Sequence, residues 1–440
     1  MKTLHLLLLA GAFAQAAVAS PAPDVTLRVT PDRDYVYSGG PREVIVQIEV
    51  EARRPDLGKR VPMNLAVVLD RSGSMQGAKI EKARQAANVA LDQLGDDDVF
   101  SLVIYDNETQ VLIAPQRVGD SRHRDELKAK IDRIRPGGGT ALHAGVVLGS
   151  KQVRHAFEKE RVNRVILLSD GLANVGPSRT ADLASLGREL RGDGIAVSTI
   201  GLGDDYNEDL MTALAEASSA NYYYVKDAEK LPGIFSEEIG VARSLLARSV
   251  TIRINVPAGV RLKEIIGRPE IECRDRSAEI ELPELFGSEK RRFLARCVAD
   301  AEGPVSLEAN VELNYENAEG SRAAAQNSAA KVAFTTDQKK ADDSVRLEVR
   351  REAGVLYNWM AKEQAVKLAD QGKPQEAAAL LRQQIEANAM APAAAQLPRL
   401  AEENKRLEEA ASEISVGGQL GKSSRKSIQF ENYQDKYQKR

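Results

Sequence analysis

The sequence has almost no excess charge and, beyond its first residues, no long apolar run. Its 61 lysines and arginines nearly balance its 64 aspartates and glutamates, which leaves a net charge of −3 over 440 residues. This balance gives no support to a nucleic-acid partner or an anionic membrane surface. The hydrophobic fraction of 43% and the charged fraction of 28% are those of a soluble globular protein. The length predicts about two to four domains.

Cysteine and histidine are also scarce, which limits the chemistry available to the chain. The two cysteines are Cys273 and Cys297. In an oxidising compartment such a pair predicts a disulfide, with two buried thiols as the alternative. After the first residues the histidines are His123, His143 and His155, and none joins a nucleophilic serine or cysteine in a recognisable motif. The sequence therefore predicts a protein that is not an enzyme.

The first 19 residues have the pattern of a secretory signal peptide. Lys2 supplies a positive start, residues 6–14 are an apolar core, and Ala17–Ala19 is a small-residue cleavage pattern. An uncleaved membrane anchor is the alternative, but the apolar run is short for a membrane span. We expect a mature protein without an integral membrane span, located in the periplasm or secreted.

The middle of the chain alternates short apolar runs with helical patterns. The apolar runs at Leu65–Leu69 and Val165–Leu168 are typical of parallel strands that are covered on both faces. Between them, apolar residues recur at helical spacing, as at Ile80, Ala83 and Ala87. This alternation predicts an α/β fold, in which a doubly wound, mostly parallel sheet carries helices on both faces.

Both flanks of this region have the alternating pattern of half-buried strands. Val44, Val46 and Ile48 alternate with polar residues on one side, and residues 305–315 alternate on the other. We predict a β-sandwich and hypothesise that both flanks contribute to it, with the α/β domain as an insert. Further along, the pattern predicts a C-terminal helical segment. The predicted divisions are a signal peptide (1–19), an N-terminal β segment (20–62), the α/β domain (63–247), the β-sandwich (248–338), a helical hairpin or bundle (339–415) and a disordered tail (416–440).

Oxygen donors occur at three separated places, each at the predicted end of a strand or on the loop just after it. They are two carboxylates and three hydroxyls: Asp70, Ser72, Ser74, Thr140 and Asp170. Ligands of open parallel sheets bind beyond the carboxyl ends of the strands, so we predict that these five side chains surround one divalent cation. Carboxylate and hydroxyl oxygens suit Mg²⁺, with Mn²⁺ or Ca²⁺ as alternatives, rather than zinc.

Parts of this set have other interpretations when they are taken alone. An Asp-x-Ser-x-Ser segment after a strand is typical of a helix N-cap. Gly137–Thr140 has the glycines of a phosphate loop but lacks its lysine. Asp70 and Asp170 could activate a metal-bound water in a hydrolase, but no general base is evident. The joint occurrence of all three pieces favours a metal site.

The segment Asp70-Arg-Ser-Gly-Ser74 with Met75, the threonine after Gly137-Gly-Gly, and Asp170-Gly171 resemble the von Willebrand factor A domain family. The resemblance covers roughly residues 63–245 and implies a Rossmann-like fold. It also implies an intact metal-ion-dependent adhesion site, in which Ser72, Ser74 and Thr140 bind the ion directly while Asp70 and Asp170 bind directly or through water. The whole chain is more weakly similar to bacterial secreted proteins of this family and, loosely, to inter-alpha-trypsin inhibitor heavy chains.

These observations predict an adhesion-type binding protein outside the cytoplasm. A cation held by only two carboxylates remains electrophilic, so we expect it to bridge to an acidic side chain of a protein ligand. The alternative is a structural or assembly factor, in which the ion stabilises the fold while the β-sandwich and helices make the contacts.

Overall fold

The computed structural model describes residues 23–54, 60–300, 306–323, 325–390 and 398–437. The signal peptide predicted for residues 1–19 lies outside these residues. Three strands come first: β1 (Val25–Pro31), β2 (Tyr35–Tyr37) and β3 (Glu43–Ala52). In β3, Val44, Val46 and Ile48 are buried on one face, because side chains alternate across a strand.

An α/β domain follows, and its central sheet is covered by helices on both faces. Its strands are β4 (Met63–Asp70), β5 (Val99–Tyr105), β6 (Thr109–Arg117), β7 (Val162–Ser169), β8 (Ala196–Leu202) and β9 (Tyr222–Val225). The sheet has the order β6-β5-β4-β7-β8-β9, and only β6 runs antiparallel to its neighbour. The helices are α1 (Ala78–Gln93), α2 (Ser121–Ile131), α3 (Leu142–His155), α4 (Thr180–Gly192), α5 (Glu208–Ala217) and α6 (Leu231–Ala242). The predicted fold class is confirmed.

Burial explains why this domain forms a parallel sheet. Every residue of β4, β5, β7 and β8 is buried. Helices α1, α2 and α6 pack on one face of the sheet, and α3, α4 and α5 pack on the other. Because the central strands run parallel, their carboxyl ends meet at one edge of the sheet. The loops that leave these ends are therefore neighbours in space.

Strands from both flanks of the α/β domain build one β-sandwich. The later strands are β10 (Leu245–Asn255), β11 (Val260–Ile265), β12 (Cys273–Arg274), β13 (Ser277–Phe286), β14 (Lys290–Ala299), β15 (Ser306–Asn317) and β16 (Gln326–Thr335). The two sheets have the orders β1-β3-β14-β11 and β12-β13-β10-β15-β16-β2. Because β3 pairs with β14 and β2 pairs with β16, the α/β domain is an insert in the sandwich.

One turn of the sandwich contacts both connections to the insert. The Ser288 amide donates to the Arg53 carbonyl on the incoming chain at 3.0 Å. The Gly287 amide donates to the Ser244 carbonyl on the outgoing chain at 2.7 Å. The insert therefore enters and leaves the sandwich at the same place.

Five helices complete the described chain: α7 (Gln338–Asp343), α8 (Leu347–Asp370), α9 (Pro374–Met390), α10 (Pro398–Gly417) and α11 (Lys422–Tyr437). None of the helices in the described residues is both long and apolar enough to cross a membrane. Helix α11 contradicts the prediction of a disordered tail over residues 416–440. It packs on the edge of the α/β domain, where the Tyr433 hydroxyl donates to the Ala220 carbonyl and the Lys426 ammonium lies 2.8 Å from the Glu208 carboxylate. The contacts of α11 are both ionic and aromatic, which fits a polar segment that carries Phe430, Tyr433 and Tyr437.

The two cysteines are free thiols in the structure, not the predicted disulfide. Cys273 lies in the short strand β12 at the edge of one sheet, and Cys297 lies in β14 of the facing sheet. Burial raises the pKa of the Cys297 thiol to about 12, and the nearby Cys273 adds to the effect. Burial also raises the pKa of the Cys273 thiol, so both side chains are protonated thiols near neutral pH, and thiols are poor nucleophiles. A bridge between them under oxidising conditions stays a prediction.

Candidate metal centre

The five predicted donors come together at the carboxyl edge of the α/β sheet. Asp70 is the last residue of β4, and Asp170 directly follows the neighbouring parallel strand β7. Ser72 and Ser74 lie on the loop and short 3-10 turn that follow β4. Thr140 lies on the loop that leads into α3. The parallel pairing of β4 with β7 is what brings the two carboxylates together.

Hydrogen bonds join the serines to the carboxylates. The Ser72 and Ser74 hydroxyl oxygens are 3.0 Å apart, and the Ser74 hydroxyl donates to Asp170 Oδ1 at 2.7 Å. The Ser72 amide donates to Asp70 Oδ1 at 2.7 Å. The Ser169 hydroxyl donates to Asp70 Oδ2 at 2.8 Å. Both oxygens of Asp70 are thus held in place by neighbours that the fold itself supplies.

The three hydroxyls converge on one point beside Gly171. A Cβ atom built on this glycine would lie 3.0 Å from the Thr140 Oγ1, 3.4 Å from the Ser74 Oγ and 3.9 Å from the Ser72 Oγ. A larger residue would fill this space, so the glycine keeps a cradle open between the hydroxyls. Three convergent hydroxyl oxygens with two adjacent carboxylates are a donor set that fits a hard divalent cation.

The loop that carries Thr140 is held by residues that the sequence interpretation missed. The Thr140 amide donates to the Asn174 Oδ1 at 2.8 Å. Asp106 forms an ion pair with Arg71 at 2.9 Å, and its carbonyl accepts from the Ala141 amide. Gly137 packs against this aspartate so closely that a Cβ atom would lie 2.0 Å from Asp106 Oδ2. The contact explains why a glycine is needed at that position.

Asp70 lies in an electrostatic environment that favours a bound cation. It is completely buried, and burial raises the pKa of its carboxyl to about 6. Hydrogen bonds from Ser72 and Ser169 oppose this effect, while the charge of Asp170 adds to it. No basic side chain among the described residues lies within 4 Å of Asp70. A positive ion in the cradle would neutralise this buried charge.

Asp170 differs because it has a basic partner. The Lys79 ammonium lies 2.5 Å from Asp170 Oδ2, on the oxygen that does not accept from Ser74. Lys79 stands in the first turn of α1, nine residues beyond Asp70. No spacing rule predicts this contact, since it depends on how α1 packs against the sheet.

The donor types also distinguish this centre from sites for softer metals. Within the described ranges, no group of three or more His, Cys, Asp or Glu side chains is arranged to hold a metal ion. His143, which the sequence places three residues after Thr140, lies near the start of α3 and is half-buried. Carboxylate and hydroxyl oxygens, the donor types of this candidate centre, suit hard cations rather than soft ones.

Comparison with known proteins shows which family the α/β domain is similar to. The family model described as von Willebrand factor type A domain matches residues 64–237. An uncharacterized protein of Synechocystis sp. is 32% identical over 183 residues, which is 41% of this chain and 42% of that protein. The uncharacterized protein YfbK of Escherichia coli is 25% identical over 236 residues, which is 53% of this chain and 40% of that protein. Human inter-alpha-trypsin inhibitor heavy chain H3 is 26% identical over 195 residues, which is 42% of this chain and 22% of that protein. The chain thus matches less than half the length of each relative.

Two solved structures share the fold across most of the chain. A von Willebrand factor type A protein from Catenulispora acidiphila aligns with a TM-score of 0.71 at 18% identity, covering 94% of this chain and 96% of that one. The ArnB paralog VWA2 from Sulfolobus acidocaldarius aligns with a TM-score of 0.59 at 19% identity, covering 94% and 99%. Domains of this family mediate interactions between proteins and commonly bind divalent cations. Residues 64–237 of this chain are a von Willebrand factor type A domain.

Proposed function

We propose that this protein acts outside the cytoplasm as a binding protein, not an enzyme, and that it holds a protein ligand through a divalent cation. The metal would be Mg²⁺, or Mn²⁺ or Ca²⁺, in a metal-ion-dependent adhesion site formed by Asp70, Ser72, Ser74, Thr140 and Asp170. The observation that carries the proposal is the convergence of three hydroxyl oxygens on the space beside Gly171, next to two buried carboxylates.

The composition of the donor set supports a bridging role. Only two of the five donors are charged, and one of them, Asp170, is also paired with Lys79, so a divalent cation keeps part of its charge and attracts a further anionic oxygen. Ser74 and the neighbouring Gly73 are exposed to solvent, so the cradle opens towards a partner. A carboxylate on the ligand would complete the shell. The bound ion supplies electrostatic attraction for that carboxylate, and the protein supplies the fixed oxygens.

Cation titration of the purified protein tests the proposal. We expect Mg²⁺ or Mn²⁺ to raise the midpoint of thermal unfolding, and we expect the increase to disappear in Asp70→Ala and Thr140→Ala. The matched control is Thr199→Ala, which removes another buried hydroxyl of the same sheet, one that donates to the Met211 carbonyl at 2.9 Å. This variant should lose stability yet keep its response to the ion. An equal response of wild type and both site variants would refute the metal site.

Capture of a partner from an extracytoplasmic extract separates bridging from a purely structural ion. Bridging requires that a partner retained in Mg²⁺ is released by chelator and is not retained by Thr140→Ala. A partner that survives chelation would instead favour the alternative, in which the sandwich and helices make the contacts.

A further inference from the structure

Asp170 has two different neighbours, Ser74 and Lys79, one for each carboxylate oxygen. Asp170 Oδ1 accepts from Ser74 and so faces the hydroxyl cradle. Asp170 Oδ2 contacts the Lys79 ammonium at 2.5 Å. Asp170 is fully buried, while about a third of the Lys79 side chain is exposed (32%). The ammonium therefore lies against a carboxylate of the cradle, on the oxygen that does not bond Ser74, while remaining in contact with solvent.

The charges around the cradle do not cancel. Asp70 and Asp170 contribute two negative charges, and Lys79 contributes one positive charge. Arg71 and Asp106 neutralise each other through their own ion pair. The metal-free centre thus has a net charge of about one negative unit, and a divalent cation would leave it about one unit positive. Without Lys79 the same ion would produce a neutral centre.

We propose that Lys79 is a specificity-determining residue that makes the metal centre require an external carboxylate. The proposal rests on the metal-dependent binding proposed above. Lys79 lowers the affinity of the protein for the cation by repulsion and leaves the loaded centre with one positive charge. A single carboxylate from the ligand neutralises that charge. Cation and ligand then bind cooperatively, because each lowers the electrostatic cost of the other.

Lys79 could act by charge, as proposed, or only by orienting Asp170, and the two roles predict opposite effects of its removal on cation binding. If the ammonium only fixed Asp170 in its rotamer, its removal would weaken binding of the cation. If it acts by charge, its removal strengthens binding of the cation. Two neutral variants cover the risk of misfolding: Lys79→Met removes the polar group, and Lys79→Gln keeps a hydrogen-bond donor for Asp170. Lys79→Arg keeps the charge and serves as the rescue.

The test measures Mn²⁺ binding to the full chain by calorimetry and by electron paramagnetic resonance of the free ion. Each protein is titrated with MnCl₂ in the absence of carboxylate and again in acetate at matched ionic strength. We expect Lys79→Met and Lys79→Gln to bind Mn²⁺ roughly tenfold or more tightly than the wild type without acetate. We also expect acetate to tighten binding for the wild type and Lys79→Arg, and to have much less effect on the neutral variants.

The matched control is Lys82→Met on the same helix, because Lys82 pairs with Glu229 at 2.7 Å and not with a donor of the cradle. This variant should behave like the wild type. The inference is overturned if the neutral variants bind Mn²⁺ no more tightly than the wild type, or if acetate has the same effect on every protein. Those results would leave the metal site itself intact, whereas a complete lack of Mn²⁺ binding in all variants would refute the proposed function as well.

Discussion

Gly171 has no side chain, and this leaves the space between three hydroxyl oxygens of the candidate site open. The three hydroxyl oxygens of the cradle lie within 4 Å of the position that a side-chain carbon would take here. The backbone of this glycine has no positive φ, so an alanine meets no conformational strain. A glycine at this position is therefore explained by the space needed between the hydroxyls and not by its backbone conformation.

We predict that Gly171→Ala abolishes the response to divalent cations while changing the stability of the metal-free protein by only about 1 kcal/mol. The methyl group would occupy the space between Thr140 and Ser74 and would need a shift of a few tenths of an ångström from its neighbours. Thermal unfolding with and without Mg²⁺ measures both effects. Gly240→Ala on α6 is the control, since a Cβ atom there meets nothing within 4 Å. A normal ion response in Gly171→Ala would place the ion elsewhere.

At the scale of single residues, the sequence predicts the five oxygen donors better than it predicts the residues that position them. Four of the five donors lie at strand ends or on the following loops, and hydrophobic patterning locates strand ends. Thr140 lies on the loop between α2 and α3. Asn174, Asp106 and Lys79 reach the site from three different loops or helices. Their side chains act through distances that depend on packing across the sheet, and no periodicity in the sequence encodes those distances.

Helix α6 is fixed to the sheet by a buried carboxylate. The Glu238 side chain accepts hydrogen bonds from Arg164 at 2.5 Å, Asn221 at 2.6 Å and Tyr223 at 2.8 Å, and also from Ser198. Arg164 is itself fully buried and reaches Glu284 of the sandwich at 3.3 Å. The network thus connects β7, which ends at the candidate metal centre, with α6 and with the other domain.

Glu238 should make the stability of the protein depend on pH. Burial raises the pKa of its carboxyl, but the charge of Arg164 and the hydrogen bonds outweigh this effect, so the pKa lies below its ordinary value of 4.5. A lowered pKa in the folded state contributes stability above the unfolded pKa, and this contribution is lost as the pH falls through the folded value. We predict that Glu238→Gln costs about 3 kcal/mol at neutral pH and that the difference from wild type shrinks below about pH 4.

Urea unfolding across this pH range measures the prediction. Glu237→Gln is the control, because this neighbour on α6 is exposed to solvent. It should follow the wild type at every pH. A cost for Glu238→Gln that stays constant down to the lowest pH would show that the charge of Glu238 contributes nothing.

The elements themselves were predictable where their patterns were strong. Apolar runs and helical spacing located the strands and helices of the α/β domain. Helix α11 was not predictable, because its docking depends on partners more than 200 positions earlier in the chain, such as Glu208 for Lys426 and Ala220 for Tyr433. A polar segment with a few aromatic residues is typical of disorder when its partners are unknown.

The whole molecule consists of a sandwich, an inserted domain and a helical part that contacts both. Helix α11 covers the edge strand β9 of the insert, where Tyr433 packs against Tyr222 with ring centroids 5.8 Å apart. The Tyr437 ring at the end of this helix lies beside Arg268 and Arg291 of the sandwich segment. The insert is therefore held both at its connections and by α11.

We predict that residues 60–244 fold as an isolated unit that keeps its response to Mg²⁺. Its midpoint of thermal unfolding should lie roughly 10 °C below that of this domain in the full chain, because the apolar contacts with α11 and the Arg164–Glu284 ion pair are lost. Circular dichroism and calorimetry measure both properties. A fusion of residues 60–244 to α11 through a flexible linker is the control and should recover part of the difference. An unfolded isolated unit would show that the insert depends on the sandwich for its fold.

The shared attachment of the two ends of the insert has a mechanical consequence. The connections contact the Gly287–Ser288 turn, and they join the domain at the amino edge of its sheet, whereas the candidate metal centre lies at the carboxyl edge. The eight residues of β4 separate these edges by about 26 Å. A force exerted by a tethered ligand would act along the parallel strands. The hydrogen bonds between neighbouring strands would then be loaded together in shear and would not break one after another. Because α11 also holds the insert, the direction of tension, not only its magnitude, would decide which attachment carries the load.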